Sequence, residues 1–384
     1  MSNSAEYKVR TLLEGCGVQI GGHNDWDPIV HNPLTYDMVI AQGTLGVGDS
    51  YELGYWDCNR IDILVEKVGT LHAPIKRLGI LSIAKLALEQ VIQNMQAIDR
   101  AKANAEYHYS VGNDFYEAML GQTMAYSCAY FRDGDVVKAD NLDEAQKAKF
   151  DLICRKLKLE PGMSFLDIGC GWGGLLDYAV KNYEVKATGI SPATEQVRYI
   201  KDNKLDIDVR QIDYRELKGE KFDAIASVGM FEHVGVKNYY DHFKKVSSLL
   251  EKGGRFLLHT ITAPHRRIFT DPYVSKRIFP GGHIPARSQI KQSSNDFLGI
   301  LDIHELGPNY DPTLLQWTEN LRRHWPALKK LVDEQGNRKY SNRLFRRYEY
   351  QNMSSAGTFR NGVNQLTQTL FVHHGSNGPP EVIR

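Results

Sequence analysis

The stretch Ser164-Phe-Leu-Asp-Ile-Gly-Cys-Gly-Trp-Gly-Gly174 decides the fold of this chain. Its first five residues form a short apolar run that stops at glycine, a pattern typical of a buried parallel strand. The glycines that follow allow a tight turn and let a ligand approach the backbone without meeting a Cβ atom. The helix predicted over Leu175–Lys181 would begin with exposed N–H groups, which suit an anion. The stretch therefore predicts a strand, a ligand-binding loop and a helix, and the alternative is a glycine-rich turn that binds nothing.

Helix and strand patterns alternate along the flanking sequence. Helices are predicted over Glu144–Leu157 and Pro192–Lys204. Short apolar runs predict further strands at Glu184–Gly189, Ile207–Gln211, Phe222–Val228 and Gly254–Thr260. Alternation of this kind predicts an α/β fold built on a doubly wound parallel sheet.

The sequence around the glycine loop favours S-adenosylmethionine (SAM) over a dinucleotide. A dinucleotide site has the spacing G-x-G-x-x-G and an acidic ribose ligand about 20 residues further on. Here the glycines run G-x-G-x-G-G, and residues 188–192, at the end of the second predicted strand, contain no acid. Asp167 before the first glycine and the pair Asp213-Tyr214 after the third strand instead resemble methyltransferase motifs. A nicotinamide oxidoreductase is therefore disfavoured.

Composition excludes several classes of protein. The 384 residues carry 47 Lys and Arg against 46 Asp and Glu, so we expect no nucleic-acid partner. The longest apolar run, Leu78–Val91, is interrupted by Lys85 and Glu89 and falls short of the roughly 18 residues of a membrane span. The five cysteines are odd in number and lack metal-pair spacing, so free thiols and no metal site are expected. We expect a soluble cytoplasmic protein, because the N-terminus also lacks the apolar core of a signal peptide.

The change of pattern along the chain predicts two domains. Residues 1–105 are expected to be mainly helical and to end in a long helical connection from Ile75 to about Ala105, where apolar residues recur at helical spacing. Residues 106–384 contain the alternating pattern and form the predicted catalytic domain. We place the boundary near Ala105.

Six segments form a linked set of motifs. They are His108-Tyr-Ser-Val-Gly-Asn-Asp114, Ala125-Tyr-Ser-Cys-Ala-Tyr-Phe131, Leu166-Asp-Ile-Gly-Cys-Gly-Trp-Gly-Gly174, Ser227-Val-Gly-Met-Phe-Glu-His-Val-Gly235, Leu257-Leu-His-Thr-Ile261 and Pro308-Asn-Tyr-Asp-Pro-Thr-Leu-Leu-Gln-Trp317. Together they resemble the cyclopropane-fatty-acyl-phospholipid synthase family. The similarity runs from about Gly43 to Arg347 and is far more specific than a glycine loop alone.

The resemblance implies a fold and an activity. The fold is a Rossmann-like SAM-dependent methyltransferase sheet preceded by a small helical lipid-binding domain, which corresponds to residues 1–105 here. The activity places the methylene carbon of SAM across a cis double bond of a phospholipid acyl chain, forming a cyclopropane ring, with bound bicarbonate as the base. Bacterial members are often dimers, so a homodimer is expected.

The resemblance also implies site residues. The bicarbonate ligands of the family match Cys128, Glu232, His259 and Tyr310, with a backbone contact at Ile261. The SAM contacts match Tyr126, Ser127, Asp167, Gly169, Cys170, Gly171, Gly173, Gly174, Ser191, Gln196, Asp213 and Tyr214. The chain departs from the family beside Ser191, where Ala193 replaces a common serine and follows an unusual Pro192.

The four side chains matched to bicarbonate also have ordinary structural explanations. Cys128 could be an inert buried thiol, His259 a core histidine and Tyr310 a packing residue. Glu232 could simply begin a helix, where the dipole stabilises an acid. However, Glu232 and His259 lie at or after the ends of predicted strands, where open α/β sheets bind ligands. Their position favours a functional role.

Basic and apolar side chains are mixed in the insertion at residues 262–310, which predicts contact with anionic lipid headgroups. They are Arg266, Arg267, Ile268, Phe269, Tyr273, Lys276, Arg277, Ile278 and Phe279. A second basic region comprises Arg322, Arg323, Lys329, Lys330, Arg343, Arg346 and Arg347. A solvated helix face is the alternative for either region. We further hypothesise that Tyr51, Tyr55 and Trp56 help the N-terminal domain to dock peripherally at the inner face of the membrane.

Two other functions remain open on the sequence alone. One is a related SAM-dependent lipid C-methyltransferase that stops at a methylated or hydroxylated acyl chain. The other is a non-catalytic lipid-binding protein that keeps a vestigial SAM fold. The intact set of Cys128, Glu232, His259 and Tyr310 argues against the second.

Overall fold

The computed structural model describes residues 4–69, 111–376 and 382–384. The predicted helical connection at Ile75–Ala105 and the predicted boundary near Ala105 lie outside the described residues. The first three residues of the motif that begins at His108 lie outside them too.

Helices make up much of the described chain. The α-helices are α1 (Ala5–Glu14), α2 (Leu34–Gln42), α3 (Thr44–Glu52), α4 (Ile61–Gly69), α5 (Asn113–Leu120), α6 (Leu142–Leu157), α7 (Gly174–Tyr183), α8 (Thr194–Asp202), α9 (Tyr239–Leu249), α10 (Arg287–Ser294), α11 (Tyr310–Leu328) and α12 (Asn342–Arg360). Short 3₁₀ segments occur at Tyr214–Glu216, Phe231–His233, Val236–Asn238 and Gly307–Asn309, and a π-helical turn at Val274–Ile278. Within the described ranges, no helix is long and apolar enough to cross a bilayer.

The central sheet has seven strands within the described residues. They are β1 (Ser164–Ile168), β2 (Lys186–Ile190), β3 (Asp208–Arg210), β4 (Phe222–Val228), β5 (Leu250–Thr262), β6 (Leu298–Glu305) and β7 (Gln365–His373). Their order is β6-β7-β5-β4-β1-β2-β3. Strands β1 to β5 pair in parallel, which confirms the α/β fold. Separate two-residue strands pair at Ile29–Val30 with Trp56–Asp57 and at Arg132–Asp133 with Val136–Val137.

Two strands that the sequence pattern did not predict make the sheet mixed rather than wholly parallel. Strand β7 pairs antiparallel with β5, and β6 pairs antiparallel with β7. The middle of β7 contains Thr367, Gln368 and Thr369, each no more than 3% exposed. Because these buried residues are polar, β7 does not read as the apolar run expected of a central strand. Gln368 lies opposite His259 in the ladder.

Alternate residues of the sheet strands enter two hydrophobic cores, one on each face. Leu166 and Ile225 belong to one core, and Phe165 and Leu257 belong to the other. This follows from the two-residue period of a strand, which sends neighbouring side chains to opposite faces. Because both faces are covered, the carboxyl ends of the parallel strands are the natural place for a ligand.

Contacts along the chain define two compact units. The first comprises Met1–Gln93, Ile268–Pro280 and Leu314–Asn364, and the second comprises Asn94–Arg267, Gly281–Thr313 and Gln365–Arg384. The sheet and the glycine loop belong to the second unit. Sequence order gave no sign that residues 314–364 pack with N-terminal residues, because the contacts join distant positions such as Tyr51 and Glu349, 298 residues apart.

Ion pairs in the first unit use four arginines of the predicted second basic region. The buried carboxylate of Glu52 accepts hydrogen bonds of 2.9 Å from Arg343 and Arg347. Arg322 and Arg346 pair with acids of the same unit at 2.8 Å. Acids of the unit therefore already compensate the charges of these four arginines. Contact of the four with lipid headgroups stays a prediction.

Two of the aromatic residues proposed to dock the N-terminal domain are core residues. Tyr51 and Trp56 are each 3% exposed, and their ring centroids lie 4.9 Å apart. The Tyr51 hydroxyl donates a 2.6 Å hydrogen bond to Glu349. The docking hypothesis is therefore wrong for Tyr51 and Trp56, whereas Tyr55 is partly exposed.

The buried imidazole of His242 on α9 is expected to make the folded protein less stable in acid. Its ring packs against Tyr214 and Phe231, and neither ring nitrogen has a hydrogen-bond partner among the described residues. Burial lowers the pKa of His242 from 6.5 to about 3. Only the unfolded chain binds the proton between these values, so stability falls as the pH falls below 6.5. At about pH 5 this contribution is about 2 kcal/mol.

We expect His242→Leu to remove that part of the pH dependence. Urea unfolding of both proteins at about pH 7 and about pH 5 measures it. An equal loss of stability in both proteins would contradict the assignment.

Candidate active site

The glycine loop between β1 and α7 has a backbone that glycine adopts readily. Gly169, Gly171 and Gly173 have φ angles of +87°, +55° and +87°. A Cβ atom on Gly174 would lie 2.4 Å from the carbonyl oxygen of Thr123, whereas one on Gly171 would meet nothing within 4 Å. The loop is therefore tightly packed where α7 begins and open at Gly171, where a ligand can approach the backbone.

The loop also contains two buried non-glycine side chains, Cys170 and Trp172. Cys170 is buried, and burial raises the pKa of its thiol well above the ordinary value. The indole of Trp172 donates a 2.9 Å hydrogen bond to Asn113. Its ring lies 4.9 Å from that of Tyr116, which lies 5.6 Å from the ring of Tyr126. This chain of rings ties the Tyr126 segment to the loop.

The residues predicted to contact SAM after β2 form one hydrogen-bonded group. The Ser191 hydroxyl donates to Gln196 at 2.8 Å and accepts from the backbone N–H of Ala193 at 3.1 Å. Alanine in place of the family's common serine at position 193 therefore does not disrupt this turn, because only the backbone N–H of Ala193 takes part in the hydrogen bond. The residues of this group are buried.

The pair after β3 has structural partners. Asp213 accepts hydrogen bonds of 2.7 Å from the guanidinium of Arg215 through both carboxylate oxygens. Tyr214 is buried in the core beside His242, with ring centroids 5.0 Å apart. Contact of Asp213 or Tyr214 with SAM stays a prediction.

Cys128 is held in place by the segment that leads into α11. Its Sγ atom lies 3.9 Å from the hydroxyl oxygen of Thr313, which accepts a 3.1 Å hydrogen bond from the N–H of Ala129. Asn309 accepts hydrogen bonds from the N–H groups of Phe131 and Arg132 at 2.8 and 2.9 Å. Burial raises the pKa of the Cys128 thiol, so the sulfur is protonated at neutral pH. A neutral thiol is a hydrogen-bond donor and a poor nucleophile.

Glu232 lies in the 3₁₀ turn that follows β4, and its carboxylate reaches across to β5. Oε1 accepts a 2.7 Å hydrogen bond from the N–H of Ile261, and Oε2 is buried without a partner among the described residues. Burial raises the pKa of Glu232, although the bonds from Ile261 and Thr260 oppose the rise. The structure thus uses the Ile261 N–H to orient this carboxylate.

His259 lies two residues before Ile261 on β5 and is 1% exposed. Its Nδ1 atom lies 3.3 Å from the amide nitrogen of Gln368 on β7, whereas Nε2 has no partner among the described residues. Burial lowers the pKa of His259 well below its ordinary value, so the ring is neutral at pH 7. If the Gln368 amide donates to Nδ1, the proton resides on Nε2 and points away from β7.

Three of the predicted side chains, Cys128, Glu232 and Tyr310, are close enough to influence one another electrostatically. Burial raises the pKa of Tyr310 well above its ordinary value, and the neighbouring Cys128 and Glu232 raise it further. Glu232 in turn is bonded to the backbone of the strand that carries His259. Cys128, His259 and Tyr310 are 0%, 1% and 9% exposed. Glu232 is partly buried as a residue, and its Oε2 atom is inaccessible to solvent. The four side chains form a dry, largely neutral set of donors with one carboxyl group.

Sequence reasoning missed several residues that hold this site. They are Asn113, Lys149, Asn309, Thr313 and Gln368. Asn113, Asn309 and Thr313 lie inside the quoted motifs, so their position was a signal that went unused. Lys149 and Gln368 carried no such signal, because a lysine in a helix and a glutamine before threonine are usually exposed.

Comparison with solved structures defines the class of protein. The cyclopropane synthase MmaA2 from Mycobacterium tuberculosis matches with a TM-score of 0.63 and 30% identity, over 70% of this chain and 97% of that chain. The mycolic acid cyclopropane synthase CmaA1, complexed with SAH and CTAB, matches with a TM-score of 0.62, also at 30% identity over 70% and 97%. With the glycine loop and sheet described above, these likenesses define a SAM-dependent methyltransferase.

Sequence comparison gives the family. The profile of the mycolic acid cyclopropane synthetase family matches residues 96–369. The chain is 40% identical over 375 residues to the cyclopropane-fatty-acyl-phospholipid synthase of Escherichia coli strain K12, covering 96% of this chain and 93% of that one. It is 38% identical over 285 residues to a probable fatty acid methyltransferase of Pseudomonas putida, covering 71% and 69%. The chain belongs to the cyclopropane synthase family, which confirms the resemblance found in its motifs.

Proposed function

We propose that this protein transfers the methylene carbon of SAM to a cis double bond of a phospholipid acyl chain and closes a cyclopropane ring. The observation that carries the proposal is the buried group of Cys128, Glu232, His259 and Tyr310 in the unit that contains the glycine loop. The E. coli relative, named as a cyclopropane-fatty-acyl-phospholipid synthase, aligns over nearly the whole chain and supports the same substrate class.

The first task of such an enzyme is positioning. An alkene is a weak nucleophile, so the methyl group on the sulfonium must be held in line with the π bond. Holding two reactants in this way supplies roughly 7–11 kcal/mol of the barrier. The open backbone at Gly171 and the bonded pair Ser191 and Gln196 are suited to fixing SAM on one side of the reacting carbon.

The second task is protection of a carbocation. Attack of the alkene on the methyl group leaves positive charge on the acyl chain, which water would trap as an alcohol. Burial of the four side chains excludes water, and the raised pKa of Cys128 keeps its sulfur from acting as a thiolate nucleophile. The carboxyl group of Glu232 favours positive charge nearby.

The third task is removal of a proton from the added methyl group. Bicarbonate bound at this site would supply the base. The side chains fit such a group: the Cys128 thiol and the Tyr310 hydroxyl are donors, and His259 Nε2 and Glu232 Oε2 are buried atoms without partners among the described residues. Glu232 would accept the hydroxyl hydrogen of the ion, and His259, Tyr310 and Cys128 would donate to its oxygens.

The substrate also requires contact with a membrane surface, and we propose that residues 329–339 make it. This hairpin is closed by a bond from the N–H of Lys339 to Leu331 and exposes Leu331 and Val332, which are 38% and 58% exposed. Its four cations outnumber its two acids, so the hairpin is net positive. The exposed aliphatic side chains can enter the bilayer surface, while the surrounding cations contact the anionic headgroups of the inner leaflet. A homodimer at the cytoplasmic face stays a proposal from family membership.

The Leu331→Ser/Val332→Ser protein is expected to bind anionic vesicles at least 10-fold more weakly. Each aliphatic side chain is worth about 1.5 kcal/mol or more when it leaves water. Sedimentation with phosphatidylglycerol vesicles measures the binding. The matched control is Val136→Ser/Val137→Ser, which alters a second exposed pair that lies beside Asp133 and Asp135. Equal binding by both variants would refute the hairpin assignment.

The proposed reaction is tested by incubating the protein with SAM, bicarbonate and vesicles of unsaturated phospholipid. Mass spectrometry of the released fatty acids distinguishes a hydroxylated product, which contains the elements of water in addition. NMR of the ring protons distinguishes a cyclopropane from a methylated alkene of equal mass. Absence of ring protons would favour the C-methyltransferase alternative, and absence of any product would favour a non-catalytic lipid-binding protein.

A further inference from the structure

Lys149 is an almost completely buried lysine in the second unit. It lies on α6, is 1% exposed, and donates a 2.7 Å hydrogen bond from Nζ to the hydroxyl oxygen of Ser127. Lysine side chains are almost never fully buried unless a partner compensates the charge. An ordinary packing role would be filled by methionine or leucine at much lower cost.

The same face of α6 holds the Ser127 segment by its backbone. Gln146, three residues before Lys149, donates to the carbonyl oxygens of Ser127 at 2.9 Å and of Ala125 at 3.3 Å. Residues three apart on a helix lie side by side, so Gln146 and Lys149 both form hydrogen bonds with the segment Ala125–Ser127. That segment carries Tyr126 and leads into Cys128.

The surroundings of Lys149 include groups from both halves of the site. Burial lowers the pKa of Lys149 to about 7, and Cys128 and Asp167 act in the opposite direction. Burial raises the pKa of Asp167 to about 7, and Lys149 opposes the rise. Lys149 also contributes to the lowered pKa of His259, after burial itself. The ammonium is therefore within electrostatic reach of the glycine-loop strand and of two residues matched to bicarbonate.

The hydrogen bond fixes the direction in which Ser127 can donate. Its oxygen accepts from Lys149, and its own hydrogen has no acceptor among the described residues. A serine hydroxyl has one hydrogen to give, so that hydrogen is available for a bound group. Bonding to a cation makes the hydroxyl a stronger donor, because chains of hydrogen bonds polarise one another.

We propose that Lys149 is a positioning residue that acts through Ser127 on the carboxylate of SAM. The carboxylate is the one anionic group of SAM. A bound anion favours the protonated form of Lys149, so the Ser127 hydroxyl backed by this lysine selects an anion. This inference rests on the proposed use of SAM. The family resemblance matches Ser127 to SAM but gives no role to Lys149 or to helix α6, which carries it.

The test is binding of two ligands that differ only in the carboxylate, SAM and decarboxylated SAM. Calorimetry with Lys149→Met is expected to show SAM binding at least about 10-fold weaker, as for loss of one hydrogen bond to a charged group. Binding of decarboxylated SAM is expected to be unchanged. Lys147→Met, an exposed lysine on the same helix, is the matched control and is expected to bind both ligands as the unaltered protein does.

A second variant separates positioning from a merely structural effect. Ser127→Ala is expected to lose the same selectivity for the carboxylate, and Lys149→Met is expected to add nothing in the Ser127→Ala background. Equal weakening of both ligands, or none, by Lys149→Met would overturn the inference. If the unaltered protein bound no SAM, the proposed function itself would fail, so the two failures are distinguishable.

Discussion

Glu232→Gln is expected to lower turnover by about 10²- to 10⁴-fold while SAM affinity stays the same. Glutamine keeps the oxygen that accepts from the N–H of Ile261, so the side chain stays in place. It replaces Oε2, a buried acceptor without a partner among the described residues, with a donor. A donor there cannot accept the hydroxyl hydrogen of bicarbonate and no longer favours positive charge. Initial rates with vesicles at saturating SAM measure the effect.

The matched control for this variant is Glu319→Gln, because Glu319 is exposed and lies outside the site. Its turnover is expected to equal that of the unaltered protein. Calorimetry with SAM checks that the Glu232→Gln protein is folded and binds its cosubstrate. Turnover within a factor of about two of normal would remove Glu232 from the proposed mechanism, since loss of acid–base assistance costs far more.

Glu52→Gln is expected to destabilise the first unit by about 3 kcal/mol. The Glu52 carboxylate is fully buried between α3 and α12, where it accepts from Arg343, Arg347 and the hydroxyl of Tyr273. Burial alone would raise its pKa, but the bonds from Arg347 and Arg343 lower it below the ordinary value. Breaking a buried pair costs about 3–5 kcal/mol, and the lower end applies because Arg343 is 47% exposed.

Urea unfolding followed by tryptophan fluorescence measures this effect, since Trp56 is buried in the same unit. Glu6→Gln removes an exposed ion pair with Arg10 and is expected to change stability by less than about 1 kcal/mol. Equal, small effects of the two variants would show that the arginines of α12 do not depend on Glu52.

The part of the fold that the sequence predicts correctly is the part with continuous apolar strands. Strands β1 and β4 occur at the predicted residues, because both are buried on two faces and end at glycine. Strand β7 was missed since its buried positions Thr367 to Thr369 are polar. One of them, Gln368, lies beside His259. Buried polar residues therefore made this strand unrecognisable from its pattern.

The site could be predicted only where its residues lie in motifs. Glu232 and His259 follow or lie in predicted strands, and the structure joins their segments through the N–H of Ile261. Tyr51 and Trp56 were misjudged as membrane residues. Composition does not show that Tyr51 finds a partner nearly three hundred residues away. Lys149 was missed because a lysine in a helix is usually exposed. Its partner Ser127 comes from a separate segment of the chain.

The most direct test of the central claim uses SAM whose methyl group carries three deuterium atoms. Ring closure requires that one deuteron leave the transferred carbon, so the account predicts a fatty acid that retains two deuterium atoms, seen by mass spectrometry of the released esters. The Glu232→Gln protein should give far less of the same product. A product that retains all three deuterium atoms would contradict the account, because methyl transfer would then have ended without loss of a proton from the added carbon.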